Sequence, residues 1–286
     1  MSMSTRSMST RCLLGSVLIL LAGTVGCSSV DHFPYEKAVT LRLSTAPVVK
    51  PRHLVIEIPV GRVELVGEET GEVDIAYEAL LQASEERYLG DLERACALES
   101  KMTGERYEVR APRLPRELSD LGRVSYLLKV RAGKHMSLAI ETSTGSIKAR
   151  AFTSDVELVA STGSLKLEDS AGAARLHTST GSIELLNHWG TAECTTSTGS
   201  VTARFREVEG NGPMRFTTST GSVELVLPAK INARVKGRTS TGSVDCDPPL
   251  AATGHFGSKA VDGVLGKGTR SIEARTSTGS VTIRLR

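Results

Sequence analysis

The chain has 286 residues, of which 23% are charged and 4% aromatic, with 35 Lys and Arg against 32 Asp and Glu. A net charge of +3 gives no electrostatic case for nucleic-acid binding, and so few aromatic residues argue against stacking platforms for bases or sugars. Five cysteines without framework spacing argue against an extensive disulfide scaffold.

Arg6 and Arg11 precede a short apolar stretch, Leu13–Val25, which runs into Gly26-Cys27-Ser28-Ser29. That stretch is too short to span a bilayer but suits the apolar core of a secretory signal, so residues 1–26 read as a signal peptide. Thr24-Val25-Gly26-Cys27 resembles a bacterial lipoprotein lipobox, with Thr24 where Leu is more usual. The resemblance implies export and a lipid (palmitate-type) anchor on Cys27. Ser28 after the cysteine favours the outer membrane in a double-membraned bacterium. Residues 27–50 then form an anchor and linker, in which Ser28–Lys37 separate Cys27 from the first strand pattern. Removing the leader leaves 33 basic and 32 acidic residues.

Residues 51–137 read as a degenerate first rung with a capping region. Leu54, Ile56, Ile58 and Val60 alternate before Gly61, and Val63 and Leu65 continue the alternation after it, with Pro59 at a corner position. Strand patterns follow at Val73–Tyr77, Tyr107–Val109 and Val124–Val130. Ser84–Ala95 reads as a short helix capped by Ser84, with Tyr88, Leu92 and Ala95 on one face.

From residue 138 onward one unit recurs. Ser-Thr-Gly-Ser appears seven times, on Gly145, Gly163, Gly181, Gly199, Gly221, Gly242 and Gly279, at spacings of 18, 18, 18, 22, 21 and 37 residues. Two residues after each glycine stand Ile147, Leu165, Ile183, Val201, Val223, Val244 and Val281; polar residues follow, then apolar ones again. This alternation specifies strands with one buried side, and a short fixed period specifies a solenoid. The expected fold is an all-β, single-chain β-solenoid of roughly 18-residue two-strand rungs, capped by the N-terminal region with its short helix. The Thr three before each glycine (Ala160 in one copy) shares the inward parity and is expected to bond to neighbouring rungs. Cys194 and Cys246 fall in apolar slots and read as small buried hydrophobes.

The long final spacing marks an insertion at about 248–270. It reads either as a binding loop carrying His255, Phe256, Lys259, Lys267 and Arg270, or as an eroded rung. The chain stops just after Val281–Leu285, which places an open strand edge at the C-terminus, guarded by Arg284 and Arg286.

The six histidines are scattered without metal-ligand spacing, and no His or carboxylate recurs beside the serine motif. No cofactor or catalytic residue is assigned. His177, Arg238 and Arg275 share one position of the repeat but fall in different rungs. The repeated Thr-Ser-Thr-Gly-Ser-Val-Glu-Leu and the ending at Ser271–Arg286, together with the lipoprotein start, resemble the bacterial putative-adhesin β-strand-repeat family. The resemblance covers about residues 50–286 and implies a non-enzymatic envelope role. It supplies no binding residues.

The sequence therefore points to a lipid-anchored envelope protein, monomeric, that binds or scaffolds an unknown protein or polysaccharide. The alternative is an envelope-stress sensor or regulator sequestering a peptide or membrane partner, and a carbohydrate-active β-helix enzyme stands behind both.

Overall fold

A computed structural model describes residues 33–44, 50–247 and 256–286 of the chain. Cys27, the leader and His255 lie outside the described residues. Within them, alternation does what the pattern requires. Strands β1 (Tyr35–Ser44), β2 (His53–Glu68) and β3 (Val73–Ala83) come first. A 3-10 turn leads into helix α1 (Leu89–Ala95), followed by the hairpin β4 (Glu99–Thr103) and β5 (Arg106–Arg110). A one-turn helix α2 (Arg116–Ser119) precedes β6 (Gly122–Gly133). β1 therefore takes up part of the segment read as an anchor and linker.

The repeats supply β7 (Ser137–Thr144), β8 (Ile147–Arg150), β9 (Val156–Thr162), β10 (Leu165–Glu168), β11 (Ala171–Thr180) and β12 (Ile183–Thr198). They continue with β13 (Val201–Glu207), β14 (Met214–Thr217), β15 (Val223–Leu227), β16 (Ala233–Arg238) and β17 (Val244–Asp247). The chain closes with β18 (Phe256–Gly257), β19 (Ala260–Leu265), β20 (Arg270–Arg275) and β21 (Val281–Leu285).

Each rung sends one strand to each of two faces, and the corner glycine lies between them. One face runs β5, the first half of β2, β7, β9, β11, the second half of β12 and β14, all parallel. The other runs β6, the second half of β2, β8, β10, the first half of β12, β13 and β15. The core is the ladder of inward side chains between the faces. Ile147, Leu165, Ile183, Val201, Val223 and Val281 are all fully buried.

The corners are held by a constraint that repeats at every step. The motif glycines have φ between +134° and +147°, a region that disfavours side chains. A Cβ on any of them would lie 1.6–2.1 Å from the carbonyl oxygen of the adjacent rung's glycine, which no real contact allows. The inward threonine of the motif uses that same carbonyl. Thr178, Thr196, Thr218, Thr276 and Thr239 donate through Oγ1 to Gly163, Gly181, Gly199, Gly221 and Gly279, at 2.8–3.0 Å. A second ladder runs along the serine after the glycine, whose backbone N–H donates to the neighbouring serine's Oγ (Ser200 to Ser182, Ser222 to Ser200, Ser280 to Ser222).

These contacts also reveal the order of the rungs. Gly279 packs on Gly221, and Gly242 packs on Gly279. Strands β20 and β21, last in the chain, lie between β14–β15 and β16–β17. The C-terminal strand is therefore internal, paired on both sides, which corrects the expectation of an open edge guarded by Arg284 and Arg286. The backbone of Arg286 is fastened at both ends, its N–H donating to Leu227 and its carbonyl accepting from Ala229.

Residues 228–269 thus form one excursion, and the sixth motif copy belongs to it. β19 runs antiparallel to β16 and occupies the edge on which β20 would otherwise stack. Of the region read as an insertion at about 248–270, the described residues 256–270 belong to an end cap, with β18 and β19 as its strands. As the outermost rung on its face, β17 leaves Val244 and Cys246 only half-buried, whereas Cys194 is fully buried.

The N-terminal end follows the same logic. β2 is the first rung, and the chain leaves it to build β3, α1, β4, β5 and β6 before returning at β7. β3 covers β6, and β1 covers β3, both antiparallel. The helix begins later than the sequence suggests. Ser84 does not cap it; its N–H and hydroxyl both donate to the Leu121 carbonyl, which ties the end of β3 to the start of β6. Leu92 alone of the helix is fully buried, with Tyr88 packed partly against the core.

His188 is buried where β12 turns between the faces. Its Nε2 donates to the Thr191 carbonyl at 3.1 Å, so Nδ1 accepts from the Ser170 hydroxyl at 2.9 Å. Burial is the main influence and pushes its pKa below the usual imidazole value, although hydrogen bonding to the backbone of Thr191, Gly172 and Ser170 pushes back.

Two predictions follow from this packing. Gly181→Ala should cost more than about 3 kcal/mol in chemical denaturation, because neither the φ nor the neighbouring backbone can accept a Cβ. Gly90→Ala, in α1 with open space around it, should instead lie within about 1 kcal/mol of wild type, on the stabilising side. For His188, the unfolded chain takes the proton more readily than the fold. Its contribution is therefore complete above the unfolded pKa of about 6.5 and is lost as pH falls below it. Stability measured from pH 7.5 to 5 should decline less steeply in His188→Gln than in wild type, the difference being at most one proton, about 1.4 kcal/mol per pH unit. Equal slopes would remove His188 as the cause.

Candidate binding surfaces

A concavity lies at the N-terminal end, where the cap leaves the first corner uncovered. Pairing of β2 with β5 stops at Glu57 opposite Arg110, and pairing with β6 begins at Gly61 opposite Tyr126. On its other side β2 stays paired through the bend, Ile58 with Thr142 and Val60 with Thr144. The bend Ile58–Val60 therefore has a strand partner on one side only. The chain between β5 and β6, including α2, stands away from it and leaves a cleft of about 1000 Å³.

Ile58, Pro59, Val60, Ala111, Pro112, Leu114 and Val124 give this cleft an apolar lining. Val60 is 40% exposed, one of three large hydrophobic residues so exposed among those described. Charge is supplied by Glu57, Arg113, Arg123 and Glu141. The Glu57 carboxylate is held by Arg110 at 2.9 Å. Arg113 and Arg123 form no ion pair among the described residues. The Arg123 guanidinium lies 4.9 Å from the centre of the Phe33 ring, so the cleft opens beside the point where the chain enters the fold.

A second surface is the outer side of the corners. In each repeat the serine and threonine just before the glycine are exposed, as at Ser161-Thr162 and Ser197-Thr198, giving paired hydroxyl rows at the strand spacing of about 4.8 Å. The third surface is the outward side of the C-terminal rungs. The register brings Arg238 beside Arg275, with Thr217 next in the row. His177 stands further along the same row, opposite Thr195, so it does not join the two arginines.

Among the described side chains singled out in the insertion, Lys259, Lys267 and Arg270 lie at separate places. Lys259 is exposed, and its carbonyl accepts from the Thr239 N–H. Lys267 is exposed in the turn between β19 and β20, where its N–H donates to Asn232 Oδ1. Arg270 starts β20 and lines a shallow pocket with Glu207 and Ile231. Phe256 pairs through its backbone with Val261. These positions build the end cap first.

Several surface carboxylates are taken up in ion pairs between neighbouring strands. Partial burial opposes ionisation of Glu168, yet Lys166 and Lys148 outweigh it and hold its carboxyl below the usual range. The Arg234 guanidinium does the same for Asp262, and Arg42 with Arg131 for Asp74. Burial raises all three described thiols, Cys246 to about 11, which suppresses thiolate chemistry at neutral pH. Two imidazole–hydroxyl pairs, His53 with Ser137 at 2.5 Å and His135 with Thr153 at 2.8 Å, lie on open surface away from the cleft lining. Among the described residues no three His, Cys, Asp or Glu side chains come together as metal ligands, and no helix is long and apolar enough to cross a membrane.

The sequence singled out none of the cleft residues as a site. The one local signal was Pro59 in place of the motif's first serine, since a proline cannot donate to a neighbouring strand.

Comparison with known proteins gives two low-identity structural neighbours and one family. Two solved structures align with the chain at low identity. One is a putative cell adhesion protein from Clostridium sporogenes, at 12% identity over 87% of this chain and 100% of that one, with a TM-score of 0.31. The other is a putative adhesin from Bacteroides fragilis, at 11% identity over 87% of this chain and 97% of that one, with a TM-score of 0.42. No curated protein matches the chain significantly. The family described as Toastrack DUF4097 matches residues 54–284, from the first rung to the last strand. The chain belongs to the Toastrack DUF4097 family, a domain of unknown function.

Proposed function

We propose that the chain is a non-enzymatic, lipid-anchored protein of the bacterial cell envelope, whose solenoid offers an adhesin-like binding or scaffolding surface. The observation that carries this reading is the combination of a rigid, fully satisfied stack with an open apolar cleft at one end. Every inward position serves the core and every motif hydroxyl on the inside serves a corner, so function is left to the surfaces. The two carboxylates of the cleft lining, Glu57 and Glu141, are register neighbours on adjacent strands rather than placed across a groove from each other, and Glu57 is held by Arg110.

Location rests on the leader and on Cys27. Seven residues, 28–34, separate that cysteine from β1. Such a segment reaches at most about 25 Å. An acyl chain on Cys27 would hold the N-terminal cap close to the bilayer and leave the Arg238–Arg275 end pointing to more distant partners. The cleft beside Phe33 favours a second reading, in which the protein sequesters a peptide or a membrane protein's exposed segment and so acts as an envelope sensor or regulator.

Labelled palmitate supplied to cells should enter the wild-type chain and not Cys27→Ser, and the variant should leave the membrane fraction. Cross-linking in native envelopes should recover a partner with the wild type and lose it with the unanchored variant. An unlabelled wild type, or a Cys27→Ser protein that stays equally membrane-bound, would contradict the anchor.

A further inference from the structure

The N-terminal cleft carries a more specific conclusion, which rests on the binding role proposed above and names the chemistry of the partner. We propose that it receives an extended polypeptide segment, laid along Ile58–Val60 as an added strand, with alternating apolar side chains and a carboxylate among them.

Backbone geometry is the first argument. A corner inside the stack is paired on both sides, as Thr162 is with Thr144 and Thr180. The Ile58–Val60 bend is paired with β7 alone, because both cap strands stop short of it. A strand edge recessed in a cleft recognises another strand through its main chain, and pockets for alternate side chains then give selectivity. Recession matters here, since the walls admit one segment and prevent open-ended sheet growth. Pro59 lacks an N–H, so at this point the edge can only accept and asks the incoming segment to donate.

Side-chain chemistry is the second argument. Val60, Pro112 and Leu114 present apolar surface that no part of the described chain covers fully. Arg113 and Arg123 bring two guanidiniums without carboxylate partners among the described residues, whereas Glu57 is already held by Arg110. Glu141 is the remaining acid in the lining, which leaves the balance positive. A glycan is a poorer fit. The one aromatic residue in the lining is Tyr126, buried and with its hydroxyl committed to the Cys96 carbonyl, so no ring face is offered to a sugar. A flat lipid surface cannot enter a recessed cleft.

The test is selection of linear dodecapeptides from a phage-displayed library on the mature protein, followed by fluorescence-polarisation titration of the selected sequences. Selected peptides should alternate apolar residues and contain Asp or Glu. Val60→Asp should weaken their binding at least tenfold, as should Arg113→Glu combined with Arg123→Glu. Thr202→Asp, on a distant rung, should change it less than twofold. All these positions are at least partly exposed, and unchanged melting curves would show that the variants fold. Binding indifferent to the cleft substitutions, selection of no peptide above background, or occupation of the cleft by a second copy that Val60→Asp releases would each overturn the proposal. An envelope partner whose cross-linking ignores Val60→Asp would also overturn it while leaving the envelope-binding role intact. Cleft-dependent peptides without any envelope partner would do the reverse.

Discussion

One contact organises this protein: a glycine carbonyl at each corner, approached by the next rung's glycine and capped by a buried threonine hydroxyl. The approach requires the absence of a Cβ, and the hydroxyl satisfies an acceptor that bends away from the strand ladder. Each such bond contributes only about 1 kcal/mol net. Its greater effect is on register, because a slip of one residue would place a Cβ against the carbonyl and turn every core side chain outward. Repeated along the stack, this contact keeps two parallel faces aligned while their inward residues vary from Ala to Phe. The Ala160 rung shows that one missing hydroxyl is tolerated when the glycine remains.

A stack of this kind has two raw ends, and the chain closes both by the same manoeuvre. It lays down a rung, departs to build a cap that includes antiparallel strands, and returns to the stack, on the far side of β2 at the N-terminus and between β14–β15 and the cap at the C-terminus. At the N-terminus the departure lies between β2 and β7; at the C-terminus it lies between β15 and β20. Antiparallel β3 and β19 then occupy edges that a further parallel rung would otherwise seek. The caps follow the faces rather than the corner between them, and the cleft over Ile58–Val60 is the consequence. Function, on this view, sits where end-closure is incomplete.

Much of this architecture was legible in the sequence because it rests on local chemistry. Alternation around each glycine specified strands, and the inward parity of Thr178 or Thr196 specified their bonds to neighbouring rungs. Rung order was not legible. The 21 residues from Gly221 to Gly242 match an ordinary rung, and the copies are interchangeable side by side. Only the competition between β19 and β20 for the edge of β16 decides which copy lies inside, and that is a long-range choice. Ser84 was misread for a related reason, since its hydroxyl found the Leu121 carbonyl, 37 positions away, rather than a helix end. The cleft was hidden because widely separated segments line it, among them 57–60, 111–114, 122–126 and 141–144, without a shared motif.

The interior position of the last rung is the claim on which the C-terminal cap and the corrected C-terminus depend. Glu224, Thr282 and Asp245 are outward neighbours in register, in that spatial order. Paired cysteines at adjacent strand positions lie within disulfide reach, while positions two strands apart, about 9–10 Å, do not. Oxidation of Glu224→Cys/Thr282→Cys, mapped by peptide mass spectrometry, should give an intramolecular disulfide, and Glu224→Cys/Asp245→Cys should give none. The opposite outcome would mean that the rungs stack in chain order and that the C-terminal strand is the open edge.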